Sequence, residues 1–186
     1  MMRQRLLDAT VELVAERGYA ATTTVQVAER AGVSRGALLH HFPNKNDLVI
    51  AAVEQVMTNR YDDLRAAAAS MTGARTRRVL QMLADHFTSP FFMTALDLWV
   101  AARTDEGLRG EVYPLEREVG RQTHELTVEL LGADESQPGV RELIQATLDL
   151  VRGLGLASAL SDDTKRRNRI LDQWAVVIDD ALKENS

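Results

Sequence analysis

Cysteine is absent from the 186-residue chain, which excludes a disulfide framework, a thiolate metal site and a cysteine nucleophile. Only four prolines occur, which argues against a Pro-rich linker or a long disordered tail. Long apolar runs are missing as well. The opening stretch MMRQRLLDATVELV carries Asp8 and Glu12 and does not read as a signal peptide, and the most apolar later segments are broken by Asp97 or Arg152. No membrane span is expected, and the chain reads as cytoplasmic. No Gly-rich phosphate loop, HExxH, GxSxG or paired Glu-x-x-His set is present, so neither an enzyme nor a bound cofactor is expected. Histidines are few. His40 and His41 are adjacent, about 100° apart on a helix, and cannot face one metal; His86 and His124 stand alone. No metal site is expected.

What is present is the balance of a folded protein, 45% hydrophobic and 26% charged. The formal net charge is −5, which on its face argues against a nucleic-acid partner. The acidity is unevenly spread. Residues 1–60 hold seven basic and six acidic groups, leaving fifteen basic and twenty-one acidic for the remainder. An N-terminal DNA-binding segment is therefore permitted.

Helical periodicity runs through the chain, and no strand pattern competes with it. Leu6, Ala9, Thr10, Leu13 and Val14 follow the i, i+3, i+4 rule, with Gly18 as the stop. Thr23 and Gln26 make a capping box for a short helix whose buried side is Val27, Ala28 and Ala31, and Gly32 ends it in a turn. Ser34 caps the next helix, to about Phe42, with Leu38 and Phe42 pointing inward. Pro43-Asn44 breaks the chain before a long helix from about Asn46 to Ser70. Further helices fit 74–88, 90–103, about 107–131, 138–160 and 163–184, separated by Thr72-Gly73, Ser89-Pro90, Gly132 to Pro138 and Ser161-Asp162-Asp163. The expected fold is all-α with about nine helices.

Two short helices joined by a tight glycine turn, at about 23–42, form a helix-turn-helix unit. Its second helix is narrow enough to enter a major groove with its first residues toward the base edges, where Arg35 can read guanine or hold a phosphate. An ordinary helical hairpin has the same outline. The run GYAATTTVQVAERAGVSRGALLHHFPNKNDL, through Gly18, Ala28, Ala31-Gly32-Val33-Ser34, Phe42 and Lys45, resembles the N-terminal signature of tetracycline-repressor (TetR) family regulators, over about residues 4–50. The resemblance implies a three-helix DNA-binding head at 1–45 and a helical effector-binding and dimerisation domain at 46–186. It also implies a repressor released from a palindromic operator by a small effector. Carried over position by position, the DNA-facing side corresponds to Thr23, Thr24, Val25, Arg35, Gly36, Ala37, Leu39, His40, His41 and Lys45. Leu39 stands where the family most often has a phosphate-binding tyrosine, and Val25 where a basic or polar residue is frequent.

Aromatics are only 5% of the chain, yet the middle helices hold most of them. Met57, Tyr61, Met82, Phe91, Phe92, Trp99 and Tyr113 are the candidate contacts for an apolar or aromatic effector, with core filling as the plainer role. Asp97, Arg103, Asp105, Arg109, Glu116 and Arg117 follow them and can orient a polar end of the ligand or form surface ion pairs. The last two helices carry apolar stripes (Leu143, Ile144, Thr147, Leu148, Val151, Leu154; then Ile170, Leu171, Trp174, Val177, Ile178, Ala181, Leu182). They are expected to build a homodimer through about 138–160 and 163–184. A small all-α ligand-binding or carrier protein without DNA function is the rival reading.

Overall fold

In the computed structural model, which describes residues 1–69 and 75–184, the described residues form nine helices and no strand. They are α1 (Met2–Ala21), α2 (Thr24–Ala31), α3 (Arg35–His41), α4 (Lys45–Ala69), α5 (Arg75–Phe87), α6 (Pro90–Ala102), α7 (Glu106–Leu131), α8 (Val140–Ala157) and α9 (Thr164–Glu184). The expected end at Ser70 and the Thr72-Gly73 break lie outside the described residues. The other boundaries fall close to those read from periodicity. Gly18 is the exception. It leaves helical geometry at φ 78 and ψ 164, but the chain resumes a helical turn and ends at Ala21, so the glycine breaks α1 without stopping it. That φ is open to glycine and strained for other residues.

The chain divides into two compact units, residues 1–60 with 90–119, and residues 61–89 with 120–186. In the first, α1 packs on α2 and on α6, and α2 on α3. The head's core is small and closed. Leu6, Leu7, Leu13, Val27, Leu38, Phe42 and Leu48 are buried together, with Val33 and Leu39 partly buried against them. Helices as short as α2 and α3 are marginal alone and are fixed by their ends. Thr23 and Gln26 form a complete capping box; Ser34 Oγ accepts from Ala37 N at 3.2 Å; Gly32, at φ 63 and ψ 42, closes α2 in the left-handed conformation. Asn44 does the same service for α4, its Oδ1 accepting from Asp47 N at 2.9 Å.

In the second unit α5 packs on both α8 and α9, and α8 on α9. Gly155 permits the closest approach. A Cβ there would run into the Phe87 carbonyl oxygen and lie 2.8 Å from its carbon. Polar ties fix the rest. Arg77 Nε reaches Asp172 at 2.5 Å, and the buried Arg167 donates to Ser158 Oγ, Asp163 Oδ1 and Thr164 Oγ1 at 2.7–3.0 Å, binding the end of α8 to the start of α9.

Candidate DNA interface and effector-binding residues

The outward face of the helix-turn-helix unit is assembled from capped ends and small side chains. Thr23, Val25, Arg35, Gly36, His40 and His41 are exposed, while Thr24, Ala37, Leu39 and Lys45 are half-buried. Arg35, in the first turn of α3, makes no hydrogen bond or ion pair among the described residues, so its five donors face water. Thr23 is partly committed, because its hydroxyl serves the α2 cap. Leu39 leans on the head's core. The His40 and His41 rings meet edge to face at 5.7 Å.

Of the other cations of the head, Arg3, Arg5, Arg30 and Lys45 have partners within it, while Arg17 is exposed on α1 and makes no hydrogen bond or ion pair among the described residues. Arg5 donates to the carbonyls of Ala31 and Gly32, tying the beginning of α1 to the turn between α2 and α3. Arg3 lies 5.5 Å from the centre of the Phe42 ring. Arg30 holds Glu16 with two hydrogen bonds of 3.0 and 2.9 Å and Glu12 with one of 3.1 Å, and this keeps the Glu16 carboxyl below the usual carboxylate range. Lys45 is drawn inward. Its Nζ sits 4.0 Å from the Tyr19 ring centre and 3.4 Å from the Ala20 carbonyl, and burial lowers its pKa from the usual lysine value. Tyr19 donates to Asn46 Oδ1 at 2.6 Å, and burial followed by the Asp105 and Glu111 carboxylates raises its phenol. The Gly-Tyr and Lys-Asn pairs flanking the unit are visible in the sequence, but the Tyr19–Asn46 hydrogen bond and the stacking of Lys45 on Tyr19 depend on α1 and α4 meeting.

The effector candidates divide between the units. Met57, Phe91 and Phe92 are buried in the first, Trp99 is half-buried and Tyr113 exposed there; Tyr61 is buried and Met82 half-buried in the second. Phe92 meets Trp99 edge to face at 6.2 Å. A cavity of about 220 Å³ between α6 and α7 brings together Trp99, Arg103, Arg109, Tyr113 and Glu116, with Ala102 and Val112. Tyr61 Oη shares a 2.7 Å hydrogen bond with Thr123 Oγ1, as expected of a buried tyrosine. In the second unit a cavity of about 480 Å³ between α7 and α8 is ringed by satisfied charges: Arg121 with Glu125, His124 and Arg141 with Glu135, and Arg152 with Asp149. Its lining suits a polar occupant better than an apolar one.

The apolar stripes of α8 and α9 are split between the inside of the chain and its surface. Ile144, Thr147, Leu148, Val151, Leu154, Leu171 and Ile178 are buried inside the chain, where α5 packs on both helices. A different row faces outward. Leu143, Ala146, Leu150, Gly153 and Ala157 recur at alternating spacings of three and four and are exposed or half-buried. On α9 the outward apolar residues include Ile170, Trp174 and Val177; Trp174 also donates to Thr147 Oγ1 at 3.0 Å.

Among the described residues no group of three or more metal-binding side chains occurs, and no helix is long and apolar enough to cross a membrane. An all-α chain presenting a capped helix-turn-helix unit has the form of a DNA-binding regulator. Residues 6–52 match the bacterial regulatory proteins of the tetR family. The HTH-type transcriptional regulator CymR of Pseudomonas putida is 30% identical over 172 residues, covering 89% of this chain and 83% of that one. A TetR transcription regulator from Haloarcula marismortui has a TM-score of 0.74 at 17% identity, covering 97% of each chain. FadR from Bacillus subtilis, solved in complex with stearoyl-CoA, has a TM-score of 0.69 at 18% identity, covering 94% of this chain and 96% of that one. The chain belongs to the TetR family of transcriptional regulators. It is not an enzyme, and the carrier reading without DNA function falls with that membership.

Proposed function

We propose that the protein is a cytoplasmic homodimeric repressor that holds a palindromic operator and is released by a small apolar or aromatic effector. The observation that carries the DNA half is Arg35, exposed and without a hydrogen bond or ion pair at the first turn of α3, where the N-terminal residues of a recognition helix meet base edges, while Arg5, Arg30 and Lys45 are tied up internally. Arg35 is assigned to base reading, with Thr23, Thr24, Val25, Gly36, Ala37, Leu39, His40 and His41 forming the rest of the contacting face. Gly36 and Ala37 let the backbone come close, and the half-buried Leu39 leans on the head's core at the margin of that face. Lys45 is assigned to a phosphate. Its amine must then leave the Tyr19 ring, and the desolvation that depresses its pKa favours the exchange for an anionic partner.

A palindromic site requires a two-fold protein whose recognition helices lie about 34–36 Å apart or a multiple of that. The outward row of α8 supports a second copy as its occupant, since small residues at Ala146, Gly153 and Ala157 allow close helix approach. The aromatic residues of α6 and the first half of α7, with Met57 of α4, are assigned to the effector; Tyr61 and Met82 remain candidates from the second unit. FadR's complex with stearoyl-CoA is a precedent for an apolar ligand on this fold. α4 is the proposed transmitter, because one helix carries Lys45, Met57 and Tyr61. Release works only if the effector prefers the DNA-incompetent arrangement, and operator DNA must then weaken effector binding by the same factor.

Mobility shift with genomic fragments at fixed salt, followed by sequencing of the retained fragment, tests the reading. A retained palindrome supports it, and retention proportional only to fragment length overturns it.

A further inference from the structure

On the reading of α3 as the helix that meets the bases, we infer that Arg5 governs its sequence discrimination without touching DNA, by clamping the turn from which α3 projects. The backbone closes that turn only in part. Gly32 N donates to Glu29 O at 3.0 Å and Val33 N to Ala28 O at 2.9 Å, the left-handed ending common to helices. The carbonyls of Ala31 and Gly32, further along, both accept from Arg5 Nη2, the Gly32 bond at 3.3 Å. One nitrogen carried by the start of α1 thus joins the last residue of α2 to the first residue of the turn. It sits at the negative end of the α2 dipole, where a cation is favoured.

The clamp is rooted at one end and fitted at the other. Leu6 and Leu7, the next residues on α1, are buried in the head's core, so the backbone that carries Arg5 is fixed. At Gly32 a Cβ would lie 3.0 Å from Arg5 Nη2, tighter than ordinary van der Waals contact, so glycine leaves room for the guanidinium as well as for the turn. Arg30, holding Glu12 and Glu16, pins the same end of α2 to α1. α3 has only seven residues and little stiffness of its own. Its direction is set by the buried Leu38 and by the turn it leaves, with its cap Ser34 two residues past Gly32 and Arg35 three. A tilt at Gly32 therefore swings Arg35. A fork that reads a base edge through two parallel bonds tolerates little tilt. Attraction to phosphates carries no sequence information and survives it.

Arg5→Met, which keeps the apolar stem and loses the donors, is the test in the full chain. Its binding to the operator fragment and to an unrelated duplex of equal length is compared with the parent's at several salt concentrations, per active molecule. Operator affinity is expected to fall about tenfold, the order of one weakened base contact. Affinity for the unrelated duplex and the salt slope should not change. Without DNA, the Gly32 and Val33 amides should exchange with solvent faster than in the parent. Gly32→Asn, a residue that tolerates the left-handed conformation, crowds Arg5 instead; it should lower discrimination in the parent and little further in Arg5→Met. Equal losses on both duplexes, or a salt slope flatter by about one per half-site, would make Arg5 a phosphate contact and overturn the inference. Unchanged exchange at Gly32 and Val33, or simply additive losses in the double variant, overturns the clamp. A parent that prefers the operator, with that preference intact in Arg5→Met, overturns this inference alone, and a parent with no preference overturns the reading of α3 along with it.

Discussion

On α3 the exposed positions are Arg35, Gly36, His40 and His41, none of them aliphatic, and Arg35 has no hydrogen bond or ion pair among the described residues. On α8 the outward row is apolar, and two flanking arginines are already paired, Arg141 with Glu135 and Arg152 with Asp149. The difference separates two kinds of recognition. A lone guanidinium is well solvated while it waits and gains most from an anionic or base-edge partner. An apolar row of Leu143, Ala146, Leu150, Gly153 and Ala157 is poorly solvated while it waits and gains most from a matching apolar surface.

The strongest way to break this comparison is to charge the apolar row. If α8 pairs with a second copy as proposed, Leu150→Glu is expected to yield monomers, because a carboxylate buried between copies costs several kcal/mol; sedimentation that shows a dimer of the variant removes α8 from the interface. The next effect is internal to the second unit. Gly155→Ala should lose about 1–3 kcal/mol or more in chemical denaturation, since the obstacle is Phe87 backbone. Gly110→Ala, with nothing within 4 Å of its would-be Cβ, should gain up to about 1 kcal/mol as an ordinary helix substitution. Equal behaviour of the two would mean that α5 and α8 yield easily.

On the DNA side, Arg35→Ala is expected to cost about 1–3 kcal/mol of operator affinity and relax preference at one base position per half-site. A uniform loss over all sequences would make Arg35 a phosphate contact. Lys45→Ala should give that uniform loss and flatten the salt dependence by about one per half-site. An unchanged slope would keep Lys45 with Tyr19 in the complex.

The smallest effect concerns acid. Glu16 has a lowered pKa in the folded chain, so its contribution is full above the ordinary carboxylate pKa and fades as pH falls through the folded value. Glu16→Gln should remove that part of the acid limb in a pH series of denaturation midpoints. The difference from the parent chain should shrink toward low pH, and a constant offset would show that the Arg30 pairing is not the cause.

These contrasts also mark how far the sequence could be read. The head was legible because its signals are local: a threonine and glutamine three apart, a glycine turn, a serine cap and inward Leu38 and Phe42. The pairing of long helices was legible only in part. In α8, Leu143 adjoins Ile144, Leu150 adjoins Val151 and Gly153 adjoins Leu154, so periodicity offers two adjacent apolar rows, and only the position of α5 decides which turns inward. The outer row is easily overlooked because Ala146, Gly153 and Ala157 are small. A glycine such as Gly155 marks a place where a helix can come close, but not which one; here it is α5 of the same chain. The α6–α7 cavity joins Trp99 and Tyr113 with charges whose meeting depends on two helices folding together.

α1 serves as a common wall, packed against α2 on one side and α6 on another. Energies of substitutions made on those two neighbours should therefore not simply add, although α2 and α6 lie far apart in sequence. A change at Val27, buried in the head, and one at Leu98, buried in α6, should each alter the cost of the other if α1 shifts to accommodate either. In a double-mutant cycle the residual would be a property of the wall itself, measurable with no ligand and no DNA present.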